Sequence, residues 1–160
     1  MAKRYYIAYG SNLNIPQMRM RCPQARIIGT GELKDWRLLF KGSRTGSYLT
    51  IEREDGFTVP VAVWEVTRKD ERALDRYEGF PAFYYKKDMY IRIKGIRTGK
   101  IRLRQVFAYI MHEERPIGIP SNGYVYTCLE GYRAFGFDAD ILTEACDYSK
   151  EAIQNESRDQ

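Results

Sequence analysis

The stretch Tyr5-Tyr6-Ile7-Ala8-Tyr9-Gly10-Ser11-Asn12-Leu13 constrains this chain more than any other. Its first half is apolar and aromatic, the pattern of a strand. Gly10, Ser11 and Asn12 are turn formers and end it. A helix start follows at once: Asn14 is a good N-cap, Gln17 stands three residues on as in a capping box, and Pro16 is tolerated in a first helical turn. A strand that passes through a tight loop into a helix points backbone N–H groups at one spot. Such a spot suits a carboxylate or a developing oxyanion. The same residues also read as a plain strand-to-helix connection in which glycine supplies the backbone freedom. Pattern alone leaves both readings standing.

The rest of the chain is organised around strands. The first helix is expected over residues 15–22, stopped by Pro23, because a residue before proline leaves the helical region. Strands are expected over 25–29, 33–41, 48–53 and 57–66. Residues 42–46 form a polar turn, and Asp55-Gly56 is a hairpin-turn signal. Pro60 inside the last of these runs implies an edge, a bulge or a late strand start. Thr67 caps a second helix with Asp70 three residues on, and Gly79 and Pro81 end it. Two long alternating runs, 84–94 and 101–111, flank a turn, the second slipping phase at a bulge near Gln105. Two helices close the chain, one from Ser121 or Asn122 to Gly136 and one capped by Asp138. The tail from Ser149 is polar and expected to fray. The order predicts an α+β chain with a mostly antiparallel sheet closing as a barrel, one domain over 1–148 and a polar tail over 149–160.

Composition excludes several kinds of chemistry. The chain has 160 residues, with 13 Tyr and 7 Phe, so a single core is well supplied. His112 is the only histidine and the three cysteines, Cys22, Cys128 and Cys146, lack short spacing. Neither a histidine metal cluster, a zinc site nor a disulfide framework is expected. The N-terminus lacks the pattern of a signal peptide and no apolar run is long enough to span a membrane, so a cytoplasmic protein without a membrane partner is the expectation. The formal charge is +5. Arg92, Lys94, Arg97, Lys100, Arg102 and Arg104 follow one another with no acidic residue between them, at spacings that would line one face of a hairpin. No nucleic-acid motif accompanies them, so a solvent-facing surface rather than a nucleic-acid partner is expected.

Among candidates for chemistry, Glu78 in Leu74-Asp75-Arg76-Tyr77-Glu78-Gly79-Phe80-Pro81 ends a helix among aromatics. The helix dipole places partial negative charge there, and aromatic neighbours desolvate a carboxylate. Both raise its pKa toward what a general base needs near neutrality. The plain alternative is an exposed Glu in a turn. Ser11 as an acyl nucleophile lacks a base and is not in a G-x-S-x-G elbow. Asp88 and His112 read as surface or structural, and the cysteines as core residues without an activating neighbour.

Tyr9-Gly10-Ser11-Asn12-Leu13 with Gln17-Met18 and Arg21-Cys22-Pro23 resembles the opening of the gamma-glutamylcyclotransferase family. So does Leu74-Asp75-x-x-Glu78-Gly79-x-Pro81-x-x-Tyr84, and Pro120-Ser121-x-x-Tyr124 followed by Glu130-Gly131 and Gly136 looks like that family's later segment. The resemblance implies a small mixed β-barrel with flanking helices. It implies an enzyme that cyclises a gamma-glutamyl amine or amino acid to 5-oxoproline and frees the amine, with no metal or cofactor. The catalytic glutamate falls on Glu78, and the substrate-binding residues on Tyr9, Gly10, Ser11, Asn12, Leu13, Tyr84 and Tyr124. Doubling of Tyr84-Tyr85 leaves that register open by one. Asn122-Gly123 stands where the family often has proline. A non-catalytic module binding a small acid on the same fold is the alternative. The leaving amine and a homodimer are left open.

Overall fold

The structure is a computed structural model and describes residues 3–43 and 46–158. In chain order it runs β1 (Arg4–Ala8), a 3-10 turn (Ser11–Leu13), α1 (Ile15–Arg21), β2 (Arg26–Gly42), β3 (Ser47–Val66), α2 (Arg68–Glu78), β4 (Tyr84–Gly95), β5 (Ile101–Met111), α3 (Asn122–Phe135) and α4 (Ala139–Arg158). The five strands close a barrel in the order β1-β3-β2-β4-β5. Every pairing is antiparallel except β1 with β5, which meet in parallel at Tyr6 and Phe107. The expected α+β barrel with flanking helices is therefore present, and it is mixed because of that one closure.

Four expected strands are two. Residues 25–29 and 33–41 belong to one strand, β2, and 48–53 and 57–66 to one strand, β3. The interrupting glycines do not break β2, because they are where β4 crosses it. A Cβ on Gly29 would lie 2.1 Å from the Lys94 carbonyl oxygen, so only glycine lets Gly29 sit opposite Gly95 and close the barrel. Asp55-Gly56 is not a hairpin turn. It lies within β3 where the register with β2 slips, opposite Asp35 at φ 65°, and the Gly56 N–H donates to Asp35 Oδ1 at 3.1 Å. The turn signal is local, whereas the pairing on either side keeps the chain in the ladder, and the result is an irregularity in the strand. Residues 43–46 separate β2 from β3, and of the polar turn expected there Arg44 and Thr45 lie outside the described residues. Pro60 is tolerated because β1 pairs with β3 no further than Ala8 opposite Ala62, which leaves β2 as the sole neighbour there.

The expected bulge at Gln105 is absent: β4 and β5 pair without a slip from Tyr84–Met111 to Lys94–Ile101. The change of phase reflects burial. β5 is exposed through Gln105 and buried on both faces beyond it. The basic residues do not share one face. Opposed residues of an antiparallel ladder lie on the same side, and Arg92 opposes Leu103 and Lys94 opposes Ile101, whereas Arg102 opposes Ile93 and Arg104 opposes Ile91. The frayed tail is also corrected: α4 continues to Arg158, and Ser149 is buried in it.

The core includes Ile7, Ile51, Val61, Trp64 and Phe107, all fully shielded, and each such side chain contributes roughly 1.5–3 kcal/mol. Helix α2 joins it through buried Leu74. Its start is held by a complete capping box, Thr67 Oγ1 accepting from the Asp70 N–H and Asp70 Oδ2 from the Thr67 N–H. Thr67→Ala is expected to cost about 1 kcal/mol, read as a fall of about 2–4 °C in Tm; an unchanged Tm would show that the cap does not hold this helix. Its end is Gly79 at φ 64°, a left-handed residue that stops the helix directly after Glu78.

Candidate active site

The junction after β1 builds one wall of a cavity of about 340 Å³. The strand ends at Ala8, Tyr9 and Gly10 lead out of it, and Ser11–Leu13 makes a single 3-10 turn. That turn is closed by the Leu13 N–H donating to Gly10 O and the Asn14 N–H to Ser11 O, each at 3.0 Å. The amides of Ser11 and Asn12 lie outside those bonds, as first amides of a helical turn do. Asn14 then caps α1 through Oδ1, which accepts from the Gln17 N–H.

The opposite wall is the end of α2. Glu78 faces the cavity together with Tyr9, Gly10, Ser11, Asn12, Tyr84 and Tyr124. Seven of the eight residues singled out from the sequence thus meet in one place. Leu13 does not line this cavity: it is fully buried and packs on α3 at Gly131. It holds the loop from beneath.

Glu78 makes no hydrogen bond or ion pair with a described residue. Burial pushes its carboxyl up to about 8, against the opposing pull of the Arg21 guanidinium. As a residue Glu78 is partly exposed, because the cavity opens to solvent on one side; the carboxyl itself looks onto Tyr6, Tyr9, Tyr77, Tyr84 and Tyr124. Burial raises all five phenols, so they stay neutral around the carboxylate.

Several of those hydroxyls already have partners. The Tyr84 OH donates to Leu49 O at 2.8 Å, and the Tyr124 OH accepts from the Leu49 N–H at 3.1 Å. The two rings form cavity wall while their hydroxyls pin β3 at Leu49. The Tyr9 OH donates to Tyr109 O, and the Tyr6 OH accepts from Asn12 Nδ2. Of the doubled pair, Tyr84 lines the cavity, whereas Tyr85 donates its hydroxyl to Glu113.

Other candidates lie elsewhere. Ser11 Oγ is 2.8 Å from the Tyr77 OH and touches no imidazole or carboxylate that could act as its base. His112 Nε2 donates to Pro81 O, and Asp88 pairs with Arg4. Burial pushes the Cys22 and Cys128 thiols up to about 12, which keeps them protonated and inert. Among the described residues no group of three or more His, Cys, Asp or Glu could hold a metal ion, and no helix is long and apolar enough to cross a membrane.

Sequence reasoning missed Tyr6, Tyr48, Arg76 and Tyr109, which also line the cavity. They come from four separate elements; Tyr6 and Arg76 lie within the two singled-out stretches without being marked as site residues, and Tyr48 and Tyr109 belong to no local motif. Tyr48 stands edge-on to Tyr124, with ring centroids 5.2 Å apart, and is half exposed at the mouth. The carried-over motifs did include Arg21, but only its stacking on Tyr77 reveals its place behind the loop.

Residues 6–126 match the model of a family described as gamma-glutamyl cyclotransferase, AIG2-like. Gamma-glutamylcyclotransferase from Homo sapiens is 33% identical over 87 residues, covering 50% of this chain and 46% of that protein. The Bos taurus gamma-glutamylcyclotransferase is 33% identical over 96 residues, covering 56% and 48%. The chain thus spans about half the length of these relatives. Among solved structures, one named gamma-glutamyl cyclotransferase superposes with a TM-score of 0.73 at 23% identity over 90% of this chain and 86% of its own. A yeast gamma-glutamyl cyclotransferase described as specific to glutathione superposes at 0.60 with 9% identity, covering 94% and 97%. At those identities the likeness is one of fold.

Proposed function

Because this chain belongs to the gamma-glutamyl cyclotransferase, AIG2-like family, we propose that it is an enzyme that converts a gamma-glutamyl amine or amino acid to 5-oxoproline. The observation that carries the reading is the placement of Glu78 across one cavity from Gly10, Ser11 and Asn12. An acid–base group and the loop that carries the amides of Ser11 and Asn12 then line the same small volume.

The α-nitrogen of the glutamyl group attacks its own γ-carbonyl carbon. A five-membered ring closes and the bond from that carbon to the leaving nitrogen breaks. The substrate enters as an α-ammonium, and two protons leave the α-nitrogen as it becomes the ring amide. Both end on the leaving nitrogen, and Glu78 carries them one at a time and finishes unchanged. Its proton affinity near 8 suits the task, since an α-amino group titrates at about 7.7–8.0 and transfer between matched groups has little uphill cost. The amides of Ser11 and Asn12 hold the α-carboxylate or the oxyanion. Tyr84 and Tyr124 wall the cavity so that the flexible chain is held bent, amine against carbonyl, where effective molarities reach about 10⁵–10⁸ M. No protein nucleophile is called for, which agrees with a Ser11 that has no base.

A panel of gamma-glutamyl compounds, read out as 5-oxoproline, tests the assignment. Binding of such compounds without any release would make the domain a binding module instead. Where release occurs, its rate is expected to fall as pH drops below about 8, approaching tenfold per unit as Glu78 becomes protonated. A rate independent of pH between 6 and 9 would exclude Glu78 as the base.

A further inference from the structure

Behind the cavity four side chains join the two walls. Arg21 Nη1 donates to Asn12 Oδ1 at 2.6 Å, and Nη2 donates to Gln17 Oε1 at 2.8 Å. The guanidinium carbon lies 3.7 Å from the centroid of the Tyr77 ring, and the Tyr77 OH is 2.8 Å from Ser11 Oγ. Asn12 continues inward, its Nδ2 donating to the Tyr6 OH at 3.0 Å. The circuit runs from Ser11 through Tyr77 and Arg21 to Asn12, and so back to the loop. Gln17 and Arg21 stand four apart on α1, so one helix face presents both. Gln17 thus fixes one arm of the guanidinium while the other holds the loop.

We propose that Arg21 is the positioning residue of this site, clamping the Gly10-Ser11-Asn12 loop to the last turn of α2 and setting a permanent cation behind Glu78. The proposal rests on the cyclotransferase reading for its kinetic consequence but not for its electrostatic one. Tyr77, on which Arg21 stacks, directly precedes Glu78. The loop and the carboxylate come from segments 66 residues apart, Ser11 to Tyr77, and this circuit ties them together. A planar fork with two donor arms and a stacking face serves all three partners, which a lysine ammonium cannot do.

The groups turned toward Glu78 are Tyr6 from β1, Tyr9 just after it, Tyr77 from its own helix, Tyr84 from β4, Tyr124 from α3 and Arg21 from α1. Arg76 and Tyr109 also line the cavity. Burial raises the phenols, so they stay neutral through the working range. Arg21 is the group that lowers the proton affinity of Glu78 and so partly offsets the burial.

Arg21→Gln and Arg21→Lys separate the two roles. With Gln the acid limb of 5-oxoproline release is expected to move about one pH unit upward, and the rate to fall roughly 10²-fold as the loop loses its register. With Lys the limb is expected to return to the parent position while much of the rate loss remains. A carbon-13 NMR titration of the Glu78 carboxyl in the ligand-free protein, assigned with Glu78→Gln, reads the same shift without turnover. If no gamma-glutamyl compound releases 5-oxoproline, the functional reading fails while this titration still tests the electrostatic role of Arg21. A Glu78 midpoint that does not move in Arg21→Gln overturns the electrostatic role. Should that variant not fold, Arg21→Lys decides: a full parent rate overturns the clamp, and a reduced rate on an unmoved limb supports it.

Discussion

On the proposed reading, Glu78→Gln is expected to fold and to release 5-oxoproline roughly 10²–10⁴-fold more slowly than the parent chain. The amide keeps the shape of the side chain and cannot move a proton between the two nitrogens. Stability should move in the opposite direction. Glu78 holds its proton up to about 8 in the folded protein, against an ordinary 4.5. A group raised in this way leaves stability intact below pH 4.5, and that contribution is lost as pH rises through about 8. Glutamine carries no charge at any pH. The variant should therefore match the parent at pH 4 and exceed it at pH 9. The gap is on the order of 2 kcal/mol, taking about half of what the full shift implies because solvent reaches the cavity. Urea unfolding at both pH values measures it. Undiminished turnover removes Glu78 from the mechanism, and equal stability at pH 9 removes its burial.

Gly131→Ala is expected to cost about 3 kcal/mol, a fall of about 6–12 °C in Tm, and to reduce turnover with it. The added Cβ would lie 2.5 Å from Leu13 Cβ and 2.6 Å from the Leu13 carbonyl carbon. Carbon atoms pack at about 3.5–4.0 Å, so backbone must move, and the backbone that moves is the cavity loop. The loop is otherwise well tethered to α3, since Asn14 Nδ2 donates to Thr127 O and Glu130 Oε2. A displacement of 1 Å at a reacting site costs roughly 10²-fold in rate. Gly123→Ala in the same helix is the control. Nothing lies within 4 Å of a Cβ there, and the change should stabilise by about 0.5–1 kcal/mol. If the two variants behave alike, the contact with Leu13 is not what fixes the loop.

The parts of the site that the sequence revealed are those written in consecutive residues. Gly10-Ser11-Asn12 announced a turn, Asn14 and Thr67 announced caps, and Glu78 before a glycine announced a carboxylate at a helix end. Each is a short-range preference, and each stands in the structure. Leu13 belonged to the same motif, yet its side chain packs on Gly131, because the direction of a side chain off a one-turn helix is set by what lies beneath it. Asp55-Gly56 carried a strong turn signal that the pairing of β2 with β3 overrode. The six basic residues over 92–104 alternate in a way that suggested one face, but the register divides Arg92 and Lys94 from Arg102 and Arg104, and Arg97 and Lys100 lie in the turn between the strands.

The sequence by itself determined the elements whose causes are local: a strand, a tight loop, a capped helix, a carboxylate left at a helix end, and enough apolar residues for one core. Only the tertiary structure decided that the first loop and Glu78 face each other. Barrel closure does this, because β1 pairs with β3, whose last residues lead into α2. It also decided that Tyr84 rather than Tyr85 enters the cavity and that five phenols surround the carboxylate, residues drawn from four elements that no spacing could have joined. The raised proton affinity of Glu78 belongs to the same class. Helix position and aromatic neighbours in the sequence gave its direction, but desolvation depends on what surrounds a group on every side, and that is a property of the closed fold.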